Sequence, residues 1–161
     1  MPPISLLRAK DDAAKYGLDP EVLLKLKEKA MGARGVAYCP YSSFRVGCAL
    51  LTADGDGTII TGANVECAST PVGICAERCA LGKAKTEGYD KFAALAVATD
   101  ISPPASPCGM CRQFIREFCD LNMPIFMYDK DGSCVVRTLE ELLPMSFGPD
   151  DLKRGEVREE L

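Results

Sequence analysis

Cys75 and Glu77 stand two positions apart in "PVGICAERCALGKA", residues 71–84, and Cys108 and Cys111 form a C-x-x-C pair in "SPCGMC". The chain has no histidine, so sulfur and carboxylate groups must carry any metal or proton chemistry. A C-x-x-C pair on a first helical turn points both sulfurs at one ion, because residues three apart share a helix face. A third sulfur from Cys75 makes a tripod. Helix N-termini carry a partial positive charge, which favours the thiolate form that metals require. Zn2+ suits such a site: it accepts sulfur, has no redox chemistry, and keeps a fourth tetrahedral position open when three side chains bind. A carboxylate at Glu77, beside that position, can take a proton from water and deliver it to a substrate nitrogen. Three thiolates outweigh the charge of the ion, and Arg78, next to Glu77, is placed to donate hydrogen bonds to the sulfurs and offset the excess.

Two other readings of the same cysteines stand beside this one. Cys79 lies four residues after Cys75 and shares its face, so C-x3-C with C-x2-C fits a closed four-sulfur structural site in which Glu77 is a surface residue. A redox pair of the thioredoxin type at Cys108 and Cys111 is the other, and it leaves Cys75 and Glu77 without a role. The remaining cysteines, Cys39, Cys48, Cys67, Cys119 and Cys134, read as buried small hydrophobes. They are too scattered, in too large a chain, to suggest a disulfide framework.

The elements that must position these groups are legible from caps and periodicity. "LDPEVLLKLKEKAMGARG" opens with Asp19 as N-cap and Pro20 at the first helical position, then spaces apolar residues as an amphipathic helix does. Phe44–Thr52 and Thr58–Glu66 flank "ADGDG" and read as a β-hairpin. A helix is expected over Ile74–Glu87, closed by Gly88. "FAALAVAT" reads as a strand buried on both faces. The proline-rich "DISPPASP" is a loop, and "CGMCRQFIREFCDL" is a helix. "PIFMYD" and "CVVRT" are strands, and "TLEELL" carries a capping box from Thr138 to Glu141. The last dozen residues, "DDLKRGEVREEL", lack apolar periodicity and read as a solvated tail or frayed helix. This order of elements describes an α/β fold, a mixed sheet with helices on both faces. Both cysteine sites lie at helix starts that follow strands, where α/β proteins commonly bind ligands.

Composition sets the outer limits. With 161 residues, 47% of them hydrophobic and 26% charged, the sequence fits one globular domain over residues 1–161, with its core at about 19–149. The net charge of -4 and the absence of a basic run argue against a nucleic-acid partner. No stretch is long and apolar enough for a leader or a membrane span, which places the expected location in the cytosol or nucleus.

With Cys-Ala-Glu and Pro-Cys-x-x-Cys identified, the chain resembles the zinc-dependent nucleoside and nucleobase deaminases. The resemblance is to the small cytidine deaminases that act on free nucleosides. It extends from about Cys39 to Leu152 through "CPYSSFRVGCALLT", "GANVE", "GICAER", "SPCGMCRQFIREF" and "ELLPMSFGPDDL". The resemblance implies a three-layer α/β/α sandwich with a five-stranded mixed sheet, and a homotetramer whose active sites are shared between subunits. The activity it implies is hydrolytic deamination of cytidine and 2′-deoxycytidine to the uridines with release of ammonia, in pyrimidine salvage. It implies one Zn2+ per subunit on Cys75, Cys108 and Cys111, Glu77 as proton shuttle, and Arg78 supporting the thiolates. Asn64 and Glu66 correspond to the pair that binds the ribose 3′-hydroxyl, and Phe44 to the aromatic lining the base pocket. Ala76 is among the substrate-binding positions, and Phe147 matches a phenylalanine lent by a neighbouring subunit. The chain departs from the family pattern at Cys67, Thr70 and Cys79, where an amide, an aromatic and a hydroxyl residue are usual. Two alternatives stand beside this activity: a deaminase of a cytosine nucleoside antibiotic, from a related family with the same metal motif, and a noncatalytic protein with a structural four-cysteine zinc site. A deaminase of single-stranded nucleic acid is disfavoured by the acidic charge.

Overall fold

A computed structural model of the chain describes residues 11–156. The N-terminal segment 1–10, and residues 157–161 of the expected tail, lie outside the described residues. One sheet is formed by β1 (Val46–Thr52), β2 (Ile59–Ala63), β3 (Phe92–Thr99), β4 (Pro124–Tyr128) and β5 (Cys134–Thr138), in the spatial order β2-β1-β3-β4-β5. Only the β3–β4 pair is parallel, and the other neighbours run antiparallel. The expected mixed sheet of five strands is therefore present.

Strand alternation divides the core into two layers, because successive side chains leave opposite faces of a sheet. Cys48, Leu50, Leu95, Val97, Ile125 and Met127 pack on one side against Ala80, Leu81 and Ala84 of α2 (Ala76–Thr86) and Ile115 of α3 (Gly109–Phe118). Ala49, Ala94, Ala96, Ala98 and Phe126 face the other way, under Leu23, Leu26 and Ala30 of α1 (Pro20–Ala33). The alanines keep that second face flat, so α1 lies close over it. A Cβ on Gly47 would overlap the Ala30 carbonyl, and one on Gly62 would overlap the α2 backbone. Glycine at these two positions is what lets the helices approach. Two short helices follow the last strand, α4 (Leu139–Leu142) and α5 (Pro149–Glu156).

The caps follow the sequence closely. Asp19 accepts a hydrogen bond from Glu21 N at 2.7 Å, Gly88 follows α2 at φ +94°, and both halves of the Thr138–Glu141 capping box form. Several expectations are corrected. The helix placed over Ile74–Glu87 begins at Ala76, with Cys75 as its N-cap. β1 begins after Phe44, and β2 ends before Asn64: Asn64 N still donates to Val46 O, but the Asn64 side chain replaces its carbonyl as the acceptor for Val46 N, and that carbonyl accepts from Tyr38 N. Of the stretch from Asp150 onward, read as a solvated tail or frayed helix, residues 150–156 are helical, with Pro149 in the first turn and Asp151 accepting from Gly148 N at 2.8 Å. Cys48 and Cys119 are buried as expected, but Cys67 and Cys134 are exposed and Cys39 is half-buried. Cys134 opens the edge strand, and Cys67 faces a cavity. All nine cysteines are free. Among the described residues no helix is long and apolar enough to cross a membrane.

Candidate functional site

The start of β1, the end of β3, and the N-termini of α2 and α3 meet at one end of the sheet around a cavity of about 630 Å³. Cys75 and Cys108 are the N-caps of α2 and α3, and Cys111 lies in the first turn of α3. Cys75 Sγ and Cys108 Sγ are 3.9 Å apart, and all three sulfurs lie within 4.8 Å of one another. A tetrahedral ion with Zn–S bonds of about 2.3 Å needs sulfurs about 3.8 Å apart. The cluster is therefore close to the size zinc requires. Cys79 is not part of it, so the fourth sulfur of a closed site is not in place, and the donor set fits an ion with one open position.

The surroundings favour thiolates. Hydrogen bonding from the Cys111 thiol brings the Cys75 pKa down to about 5 against the opposing effect of burial, with further help from Arg78 and Cys108. Donating to Cys75 holds the Cys111 thiol above its ordinary value. Arg78 Nη2 reaches Gly73 O at 3.5 Å and Cys75 Sγ at 3.9 Å. Its Nε is buried without a partner, which leaves donor capacity turned inward beside the sulfur cluster. Glu77 lines the cavity and is only 3% exposed. Burial pushes its pKa up, because a carboxylate removed from water loses solvation of its charged form.

The opposite wall is built by residues 41–46 and 64–66. Asn64 Nδ2 donates to Phe44 O at 2.8 Å, and its Oδ1 accepts from Val46 N at 2.8 Å. Glu66 accepts from Tyr41 N at 3.0 Å, from Ser42 N at 3.2 Å and from the Ser42 hydroxyl. The Ser42 hydroxyl bond leads the effects that hold its pKa below the usual carboxylate range. Both polar side chains line the cavity with Phe44 while bracing its wall.

Cys75, Cys108, Cys111, Glu77, Arg78, Phe44, Asn64 and Glu66 are thus brought together, as the sequence reading required. Ala76 stands between Cys75 and Glu77 in the chain, but its methyl group is fully buried in the core and it is not among the residues lining the cavity. Phe147, 60% exposed, lies off the cavity lining as well. Sequence reasoning missed Tyr41 and Ser42 as the donors that fix Glu66, and Thr99 at the cavity edge, read only as part of a buried strand. The departures at Cys67 and Thr70 both fall on the cavity lining.

Residues 20–127 match the family model described as the cytidine and deoxycytidylate deaminase zinc-binding region. The chain belongs to the cytidine and deoxycytidylate deaminase family. The match spans all three clustered cysteines, and the family's cofactor, Zn2+, is the ion their spacing and chemistry fit. Among relatives of this deaminase, the cytidine deaminase of Sporosarcina psychrophila is 45% identical over 80% of this chain and 93% of its own. That of Halalkalibacterium halodurans is 42% identical over 84% and 98%. The crystal structure of the cytidine deaminase from Burkholderia pseudomallei superimposes with a TM-score of 0.73 at 42% identity, covering 76% of this chain and 97% of that one.

Proposed function

We propose that the chain catalyses the hydrolytic deamination of cytidine and 2′-deoxycytidine to uridine and 2′-deoxyuridine, releasing ammonia in pyrimidine salvage. The observation that carries this reading is a buried carboxylate, Glu77, on the same helical turn as one of three convergent sulfurs, lining one cavity together with Cys75 and Cys108. In it, Cys75, Cys108 and Cys111 hold the ion, and Arg78 offsets the thiolate charge. Zn2+ bound there supplies Lewis acidity that makes water a nucleophile near neutral pH. Glu77 takes the proton from the attacking water and passes it to N3 of the base as the oxygen adds to C4. It then takes the proton of the new C4 hydroxyl and gives it to the amine at C4, so that the C4–N bond breaks, ammonia leaves and the carbonyl forms. Burial suits Glu77 to this, because a raised pKa brings a carboxyl group nearer to the pH at which it must both accept and return a proton.

Phe44 presents a ring face on which a pyrimidine can stack. Asn64 and Glu66 each keep hydrogen-bonding capacity beyond their bonds to the wall, enough to read a sugar hydroxyl. Ala76 can meet the base only through its backbone N–H, one of the amides left unpaired at the start of a helix. Phe147 lies off its own cavity and is exposed, in a stretch of chain that also exposes Met145 and Leu152. That supports a homotetramer in which Phe147 completes a neighbour's pocket. The test is ultraviolet-monitored turnover of cytidine and 2′-deoxycytidine by zinc-loaded protein. Uridine and ammonia in equal amounts are expected, and a zinc-loaded protein that turned over neither nucleoside would overturn the reading.

A further inference from the structure

Arg112 follows Cys111 on α3, and each nitrogen of its guanidinium is engaged. Nε donates to Pro107 O at 2.7 Å, Nη2 to Ser106 Oγ at 2.6 Å, and Nη1 to Leu142 O at 2.7 Å. Pro107, fully buried, directly precedes Cys108, and Ser106 lines the cavity. Leu142 ends α4, whose other end is fixed by the capping box. The segment from Asp100 to Pro107 is irregular, so its carbonyls have no ladder or helix to pair with and need partners from elsewhere. A planar fork of donors in fixed geometry is suited to hold several acceptors at once, which a single ammonium cannot do.

We infer that Arg112 is a positioning residue for the zinc site. It fastens Ser106 and Pro107 to α3 and to the end of α4, so that Cys108 Sγ stays within reach of Cys75 and Cys111. It touches neither the substrate nor the ion. The same helix reaches the chain beyond α4 through Gln113 Nε2, which donates to Phe147 O at 2.9 Å, and Arg116 Nε, which donates to Ser146 Oγ at 3.2 Å. Those bonds bypass the ligand loop, so the loop itself depends on Arg112. The inference rests on the assignment of zinc to the three cysteines.

The experiment follows zinc leaving the loaded, full-length protein after mixing with excess 4-(2-pyridylazo)resorcinol, with circular dichroism to verify folding. Arg112→Ala should release zinc about 10-fold faster or more, the range for residues that orient metal ligands. Arg112→Lys should fall between that variant and the wild type, and it carries the comparison if the alanine variant does not fold. Arg116→Ala, which cuts a bond from the same helix outside the ligand loop, should release zinc at the wild-type rate. Wild-type release rates in folded Arg112 variants would overturn the inference, as would equal acceleration by Arg116→Ala, which would mean general loosening of the helix. A wild-type protein that held no zinc would instead refute the ligand assignment, and the inference with it.

Discussion

Asn64→Ala removes two hydrogen bonds of 2.8 Å that tie β2's end to Phe44 and Val46. A typical lost hydrogen bond costs about 1 kcal/mol, and a buried group left unpaired costs about 1–3 kcal/mol. Here Asn64 is half-buried and water can repair part of the loss, so about 2 kcal/mol in total is expected. For a domain of this size that corresponds to a fall in Tm of about 4–8 °C. Thermal unfolding monitored by circular dichroism, at equal protein and zinc concentrations, measures it. The same variant should raise KM for cytidine more than it lowers kcat, because the loosened segment carries Phe44. Asn64→Asp keeps the acceptor for Val46 N but turns a carboxylate oxygen toward Phe44 O, and it should be no more stable than the alanine variant. A raised KM with unchanged Tm would refute this reasoning, since Asn64 would then serve the substrate alone and the wall would hold without it.

Other substitutions separate the remaining parts of the account. Cys79→Ser should keep a full complement of zinc by atomic absorption, whereas Cys111→Ser should lose most of it. The Asp100 pKa is depressed chiefly by its hydrogen bond with Arg45, with burial opposing and Arg34 adding to the effect. Stability from such a carboxylate is present above its unfolded value of about 4 and is lost as pH falls through the lower folded value. Asp100→Asn should therefore flatten the acid side of the plot of Tm against pH. Sedimentation of the zinc-loaded protein should give four times the 17.3 kDa of one chain, and Phe147→Ala should lower kcat/KM without changing zinc content.

Much of the fold can be read locally. Buried strands announce themselves as apolar runs, and Asp19, Gly88 and the Thr138–Glu141 pair mark helix ends through chemistry confined to a few residues. The metal cluster was legible for a related reason: helix starts concentrate positive potential, and two such starts each carry cysteine. The last helix was read only as a solvated tail or frayed helix because its signal is capping rather than periodicity. Pro149 and the two aspartates that follow begin a helix whose described part has a single large apolar residue, Leu152. The wall of the cavity was misread as strand because an amide side chain there imitates a ladder. What no local pattern reveals is pairing across long separations, such as Glu66 with the amides of Tyr41 and Ser42, or Arg112 with a carbonyl 30 residues away.

The role of Glu77 is the most direct test. Glu77→Gln keeps the shape and buried position of the side chain while removing its ability to carry a proton. Measured by ultraviolet turnover of cytidine alongside zinc content, the variant should hold zinc as the wild type does and lose at least about 100-fold in kcat, the lower range for a positioned acid–base group. A zinc-loaded Glu77→Gln protein with wild-type kcat would contradict the account.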